Sequence, residues 1–190
     1  MSKILWCIEG ETASGKDLVT RHLCDKYGMR VVCSYTTRPP RTCEINGREH
    51  WFVSDEEMQR ILSEDKVVAY TKIEDKKSNA KGYEYCATLD NVNDADIYII
   101  DPKGVAYMKE KFPDINIKVI FIYVSEEIRR QRALSRDSSQ EKAFNDRVAN
   151  EKAQFEDARI NKNYDYMIIN ENKSEDELFA EIDKIIEDNK

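Results

Sequence analysis

Seven residues near the start of the chain are spaced to hold phosphate. Gly10-Glu11-Thr12-Ala13-Ser14-Gly15-Lys16 has the form G-x-x-x-x-G-K, and Asp17 follows it. In such a loop the two glycines let the backbone curl so that successive N–H groups point inward. The next helix adds the partial positive charge of its N-terminus, and the lysine reaches the outer phosphates. The residue after the lysine is ordinarily Ser or Thr, whose hydroxyl ligates Mg²⁺. Asp17 stands there instead, a carboxylate able to hold the ion directly or through water while putting negative charge beside the phosphates. A second acid, Asp101, closes the apolar run Ile97-Tyr98-Ile99-Ile100. It is expected either at the carboxyl edge of a buried strand, where α/β sheets bind ligands, or as a simple helix cap.

Two arginine islands complete the chemistry. Arg129, Arg132 and Arg136 fall at i, i+3 and i+7 of a helical stretch that opens with Ser125-Glu126-Glu127, so they share a face, with Arg130 turned away to the surface. Guanidinium groups that cannot deprotonate suit the charge spread over a transferring phosphoryl group. Arg147 on the next helix is placed to join them across a loop at 137–141, which would close as a lid and exclude water. In the other island, Arg38 and Arg41 straddle the rigid pair Pro39-Pro40 and are spaced to hold one phosphate. The bland alternative for both islands is a solvated, charged surface.

These residues need a scaffold, and the hydrophobic pattern predicts one. Ile4–Ile8, Val31–Cys33, Ile97–Ile100, Lys118–Val124 and Tyr166–Ile169 are short, β-rich apolar runs, read as buried strands. Amphipathic stretches alternate with them. Ser54 with Glu57, Ser138 with Glu141 and Ser174 with Glu177 fit capping boxes, and Pro102 suits a first helical turn. The alternation implies a parallel sheet covered on both faces. Segment 35–95 interrupts it with polar loops and two shorter strands, Val67–Ile73 and Tyr83–Ala87, as an insertion on the sheet.

Composition bounds the function. Thirty basic residues against 37 acidic give a net charge of −7, which argues against nucleic-acid and anionic-membrane partners. The charge is uneven: residues 30–50 carry +2 and 129–147 carry +3, leaving −12 for the rest. No apolar run approaches membrane-spanning length, and Met1-Ser2-Lys3 before a strand is not read as a signal peptide. The five cysteines, at 7, 24, 33, 43 and 86, form no metal spacing and read as reduced, buried packing residues of a cytoplasmic protein. His22, on a helix face, reads as an ordinary surface histidine.

The motifs together resemble the guanylate kinases. Ser34-x-x-Thr37-Arg38-x-x-Arg41-x-x-Glu44-x-x-Gly47 followed by Phe52-Val53-Ser54 is similar to the family's acceptor-phosphate motif. Asp101-Pro102-Lys103-Gly104 is similar to its D-x-Q-G, Arg132-x-x-x-Arg136 to its R-x-x-x-R, and Asn170 to the asparagine of its late V-x-N. The resemblance implies an α/β, three-layer P-loop NTPase fold with a parallel central sheet, an NMP-binding insertion and a small lid. It implies one domain over 1–190, with the core at about 1–34, 95–135 and 148–190, the NMP-binding region at about 35–94 and the lid at about 136–147. ATP would be the co-substrate and Mg²⁺ the cofactor. Residues 10–17 and Asn170 would bind ATP; Lys16, Arg132, Arg136 and Arg147 would be catalytic. Ser34, Arg38, Arg41, His50, Tyr85 and Asp101 would bind the monophosphate, and Asp17 and Asp101 would face the metal. Partners would be small nucleotides, with the chain a monomer or homodimer.

The departures bear on the acceptor. His50 replaces a phosphate-binding tyrosine; it can donate a hydrogen bond and, protonated, would add charge. Cys43 replaces a turn glycine and is expected to keep a negative φ. Ala69 stands where the family has a guanine-reading glutamate, for which Glu74 or Glu84 could substitute. Phosphoryl transfer to GMP or dGMP is the first expectation. The same chemistry on another nucleotide or small phosphorylated acceptor stays open, as does a binding module without catalysis.

Overall fold

A computed structural model describes residues 3–41, 43–73, 82–136 and 141–190. Strand β1 (Ile4–Glu9) is central, and its alternation of side chains sorts the core into two layers. Trp6 and Ile8 point to one face. There they meet Val19 and Leu23 of α1 (Lys16–Tyr27) and Leu178, Ile182 and Ile186 of α7 (Glu175–Glu187). Leu5 and Cys7 point to the other, where Val105 and Met108 of α4 (Pro102–Lys111) close the core. On that second face Phe121 of β7 (Asn116–Tyr123) packs against Phe155 of α6 (Glu141–Ile160). Every layer thus follows from period 2 in the strands meeting period 3.6 in the helices.

The central sheet has the order β6-β1-β7-β8, with β6 at Ile97–Ile99 and β8 at Tyr166–Ile169, and all its pairings are parallel. The expected strand Val31–Cys33 is reduced to one parallel bridge from Val31 to Ile97. The chain instead extends at β2 (Ser34–Thr36), which leaves the central sheet for a second one of order β3-β2-β5-β4. That sheet adds β3 (His50–Phe52), β4 (Val67–Ile73) and β5 (Tyr83–Thr88); β2 and β3 run parallel, the other pairs antiparallel. Helices α2 (Asp55–Leu62) and α3 (Leu89–Asn93) flank it.

Caps set the helix starts. Ser174 and Glu177 form a full capping box at α7, and Asp101 with Pro102 starts α4 as expected. At α2 Ser54 accepts from the Glu57 N–H, a cap without the reciprocal bond. Ser138 lies outside the described residues. Helix α5 spans Glu126–Arg136. Among the described residues no helix is long and apolar enough to cross a membrane.

Candidate active site

The loop between β1 and α1 is built for close approach. Ala13 and Gly15 both have positive φ, 64° and 100°. A Cβ on Gly15 would stand 2.7 Å from the Asn170 side-chain nitrogen, and one on Gly10 would stand 2.5 Å from Ser14 Oγ and 2.9 Å from the Ile122 carbonyl. Both glycines are therefore required by space, and Gly15 also by its dihedral. Asn170, buried at the end of β8, donates to the Ser14 carbonyl at 3.0 Å and holds the curl from the far side. A cavity of about 320 Å³ opens here, lined by Gly15, Lys16, Asp17, Arg132, Asn170 and Lys173.

The front of the loop is clamped from outside. Arg129 of α5 is 2% exposed. Its guanidinium donates to the Val124 carbonyl at 3.1 Å, the Thr12 carbonyl at 3.3 Å and Glu11 Oε1 at 2.7 Å. Glu151 of α6 accepts from the Thr12 N–H at 2.7 Å and lies 4.0 Å from Arg129. Burial holds the Glu11 carboxyl above its ordinary range, and the Arg129 charge pulls the other way. The helical spacing of Arg129 foretold a position on a phosphoryl-facing surface; the structure turns it inward as a tie between loop and helices.

A larger cleft of about 950 Å³ separates the two sheets, lined among others by Ser34, His50, Ala69, Tyr85, Asp101 and Gln154. Ser34 Oγ and His50 Nδ1 are 3.0 Å apart, and the His50 ring meets Tyr85 edge-on at 5.7 Å. Burial, followed by the nearby Arg38 charge, pushes His50 below the usual histidine range, so it favours the neutral ring and adds no charge at neutral pH. Arg38 is 8% exposed and bound bidentately by Glu44 at 2.9 and 3.0 Å. Its Nε donates to the Tyr85 hydroxyl at 3.0 Å. Glu44 also accepts from the Arg41 N–H at 2.7 Å, and these bonds hold its carboxyl down at about 2. Asp101 caps α4 through the Gly104 N–H at 2.8 Å, and so performs the modest role foreseen for it while also lining the cleft.

The sequence profile of the family described as Guanylate kinase matches residues 3–189, nearly the whole chain. The chain belongs to the guanylate kinase family. Guanylate kinase of Symbiobacterium thermophilum is 31% identical over 172 residues, covering 88% of this chain and 78% of its own. That of Caldanaerobacter subterraneus subsp. tengcongensis is 28% identical over 169 residues, covering 88% and 80%. A crystal structure of guanylate kinase from Anaplasma phagocytophilum shares the fold at TM-score 0.59 and 19% identity, covering 98% of this chain and 86% of that one. The family makes the chain a nucleoside monophosphate kinase that uses ATP.

Against that family background the remaining residues fall into place unevenly. Arg132 lines the loop cavity and donates to the Asn170 carbonyl at 2.7 Å. Arg147 is exposed on α6, and Arg130 leaves the site to bond Glu141 and Asn145. The Arg136 side chain, residues 137–140 of the lid region and Glu74 lie outside the described residues. Glu84 is not among the described residues that line the cleft. It accepts from Tyr70 Oη at 2.7 Å and from Gln59 at 3.4 Å, and it shares its strand face with Cys86, which packs on Met58 and Ile61 of α2. Cys43 overturns its expectation twice: it is exposed, and its φ is +73°, the glycine conformation kept without the glycine. His22 is no simple surface residue. It stacks on Phe179 at 4.0 Å and bonds Asp183 at 2.8 Å, tying α1 to α7.

Among the described residues no group of three or more His, Cys, Asp or Glu side chains could hold a metal alone. Mg²⁺ needs no such cage, since it keeps several waters and takes one or two carboxylates plus substrate phosphates. The donors present fit that mode. Asp17 is exposed in the first turn of α1, Asp101 caps α4 through Oδ1, and Glu9 at the end of β1 is fully buried with neither carboxylate oxygen hydrogen-bonded.

Proposed function

We propose that this kinase transfers the γ-phosphoryl group of ATP to GMP or dGMP, giving GDP or dGDP. The observation that carries the reading is the meeting of two sites at one sheet edge. β1 runs into the phosphate loop, and β6, in register with it at Ile8 and Ile99, runs towards Asp101 and the 950 Å³ cleft. Two phosphorylated ligands entering from the loop cavity and the cleft would meet at the carboxyl ends of adjacent strands.

In this mechanism the N–H groups of the loop and Lys16 hold the ATP phosphates. Asn170 fixes the loop behind them, with the adenine beyond. Arg38, Arg41, Tyr85 and His50 take the acceptor phosphate, Glu44 setting the Arg38 fork, while Ser34 and Asp101 face the base. The acceptor oxygen is already ionised at neutral pH, so no strong general base is needed; alignment and charge neutralisation carry the rate. Arg132, Arg136 and Arg147 supply the neutralising charge, Arg147 from a helix beside the lid. Mg²⁺, bound with the nucleotide, would offset the phosphate charge, and Asp17 and Asp101 are the residues that would hold it, directly or through water.

A second reading keeps the chemistry and changes the acceptor to another nucleotide or small phosphorylated metabolite. Ala69 favours it, because Glu84 is committed to Tyr70 and the described wall of the cleft offers no carboxylate in the lost position. The phosphotransferase reading is tested with Lys16→Ala and Arg136→Ala, each expected to lower turnover by orders of magnitude while acceptor binding changes little. Equal kcat in wild type and both variants would refute it.

A further inference from the structure

β1 should end in an apolar residue, and it ends in Glu9. The strand reads Ile4-Leu5-Trp6-Cys7-Ile8-Glu9, and Glu9 is 0% exposed with both carboxylate oxygens lacking a hydrogen-bond partner. A buried polar group without a partner destabilises, and an ionised one does so by several kcal/mol in general, so such a residue is poor structural material. The strand's alternation turns Glu9 to the face of Leu5 and Cys7, under α4 and α6. Its partner in the ladder is Phe121, and on the other side the register of Ile8 with Ile99 carries Asp101 to the neighbouring strand end. Burial and then the Asp101 charge push the Glu9 carboxyl up to about 8; Lys109, an exposed residue of α4, opposes them weakly.

The strand register thus brings two acidic residues to adjacent strand ends at the foot of the phosphate-binding loop. One is unpartnered and sealed from water. The other spends Oδ1 on the α4 cap. The hydroxyl that ordinarily follows the loop lysine is replaced by Asp17, which is exposed. A divalent cation arriving with the nucleotide would give Glu9 the partner that the fold does not.

We propose that Glu9 and Asp101 form a divalent-cation site at the base of the phosphate loop, completed by the nucleotide's phosphates, with Glu9 the anchoring ligand. The site rests on the reading of residues 10–17 as the ATP phosphate site. It assigns Asp17 a peripheral part, and it gives a buried acid a function where packing offers none.

The test uses Mn²⁺ as the probe on the full chain, following the signal of the free ion by electron paramagnetic resonance with and without ATP. ATP binding in EDTA is measured separately by calorimetry. Glu9→Gln is expected to weaken Mn²⁺ binding about tenfold or more while leaving metal-free ATP binding within about twofold. Asp17→Ala is expected to weaken Mn²⁺ far less. Unchanged Mn²⁺ affinity in Glu9→Gln overturns the proposal. Should that variant fail to fold, Asp101→Asn, which keeps Glu9, decides instead: comparable weakening supports the pair, and wild-type affinity overturns it. A wild-type chain that binds no ATP in either condition removes the phosphate-loop reading and the cation site with it. That result is distinct from a loss confined to the Glu9 variant.

Discussion

Replacing Arg129 with Met separates a buried tie from a catalytic arginine. The guanidinium makes three hydrogen bonds, to Val124, Thr12 and Glu11, and its side chain is 3% exposed. Methionine preserves much of the aliphatic stem and its packing, so the loss is mainly that of the buried charge. Removing one partner of a buried pair costs about 3–5 kcal/mol in general. The acids left behind, Glu11 and Glu151, retain 14% and 20% side-chain exposure and can be partly rehydrated. The expected cost is therefore about 3 kcal/mol, which for a chain of this length lowers the melting temperature by about 6–12 °C. Thermal unfolding followed by circular dichroism reads it directly. Adding Glu11→Gln to Arg129→Met removes the stranded charge and is expected to recover about 1 kcal/mol or more, since contacting residues couple. An arginine facing the transferring phosphoryl group would behave in the opposite way, losing kcat with stability intact. A variant that melts within about 2 °C of wild type, or no recovery in the double variant, would refute the clamp.

Three further outcomes are expected. Gly15→Ala forces a side chain into a position with φ of +100° and 2.7 Å from the Asn170 nitrogen, so calorimetry should find ATP binding lost; wild-type affinity would contradict the loop geometry. Cys43→Gly relieves a left-handed backbone strain of about 1 kcal/mol, partly offset by glycine's freedom when unfolded, so the melting temperature should rise by a few degrees; a lower one counts against the strained turn. His50 is held below its ordinary pKa, so the unfolded chain takes up a proton more readily than the folded one as the pH falls. The contribution of His50 is thus intact above the ordinary histidine range and lost on going from pH 7 towards 5, and His50→Phe should flatten the melting curve's pH dependence over that window.

The phosphate loop and the strands that carry it were legible because their signals are local: two glycines, a lysine and an apolar run of period 2. The same holds for the caps at Asp101 and Ser174. What resisted reading depends on distant partners. Arg129 has the spacing of a site arginine, and nothing in α5 announces that Glu11, 118 positions earlier, will claim it. Val31–Cys33 has strand composition, but it forms a single bridge, Val31 to Ile97, before the chain crosses to the second sheet at Ser34. Glu84 was a reasonable substitute for the missing guanine-reading acid until strand alternation put it on the α2 face with Cys86. Cys43 shows that a turn can keep a glycine's dihedral after losing the glycine. Glu9 did carry a signal that could have been used, an acid in the last position of a buried apolar strand directly before the loop.

The central claim, phosphoryl transfer from ATP to a guanine nucleotide in the cleft between the two sheets, is tested most directly by an ADP-release assay across GMP, dGMP, AMP, CMP, UMP and dTMP. Preferred turnover of GMP or dGMP is the predicted result. Preferred turnover of another acceptor, or none with any of the six, would contradict it.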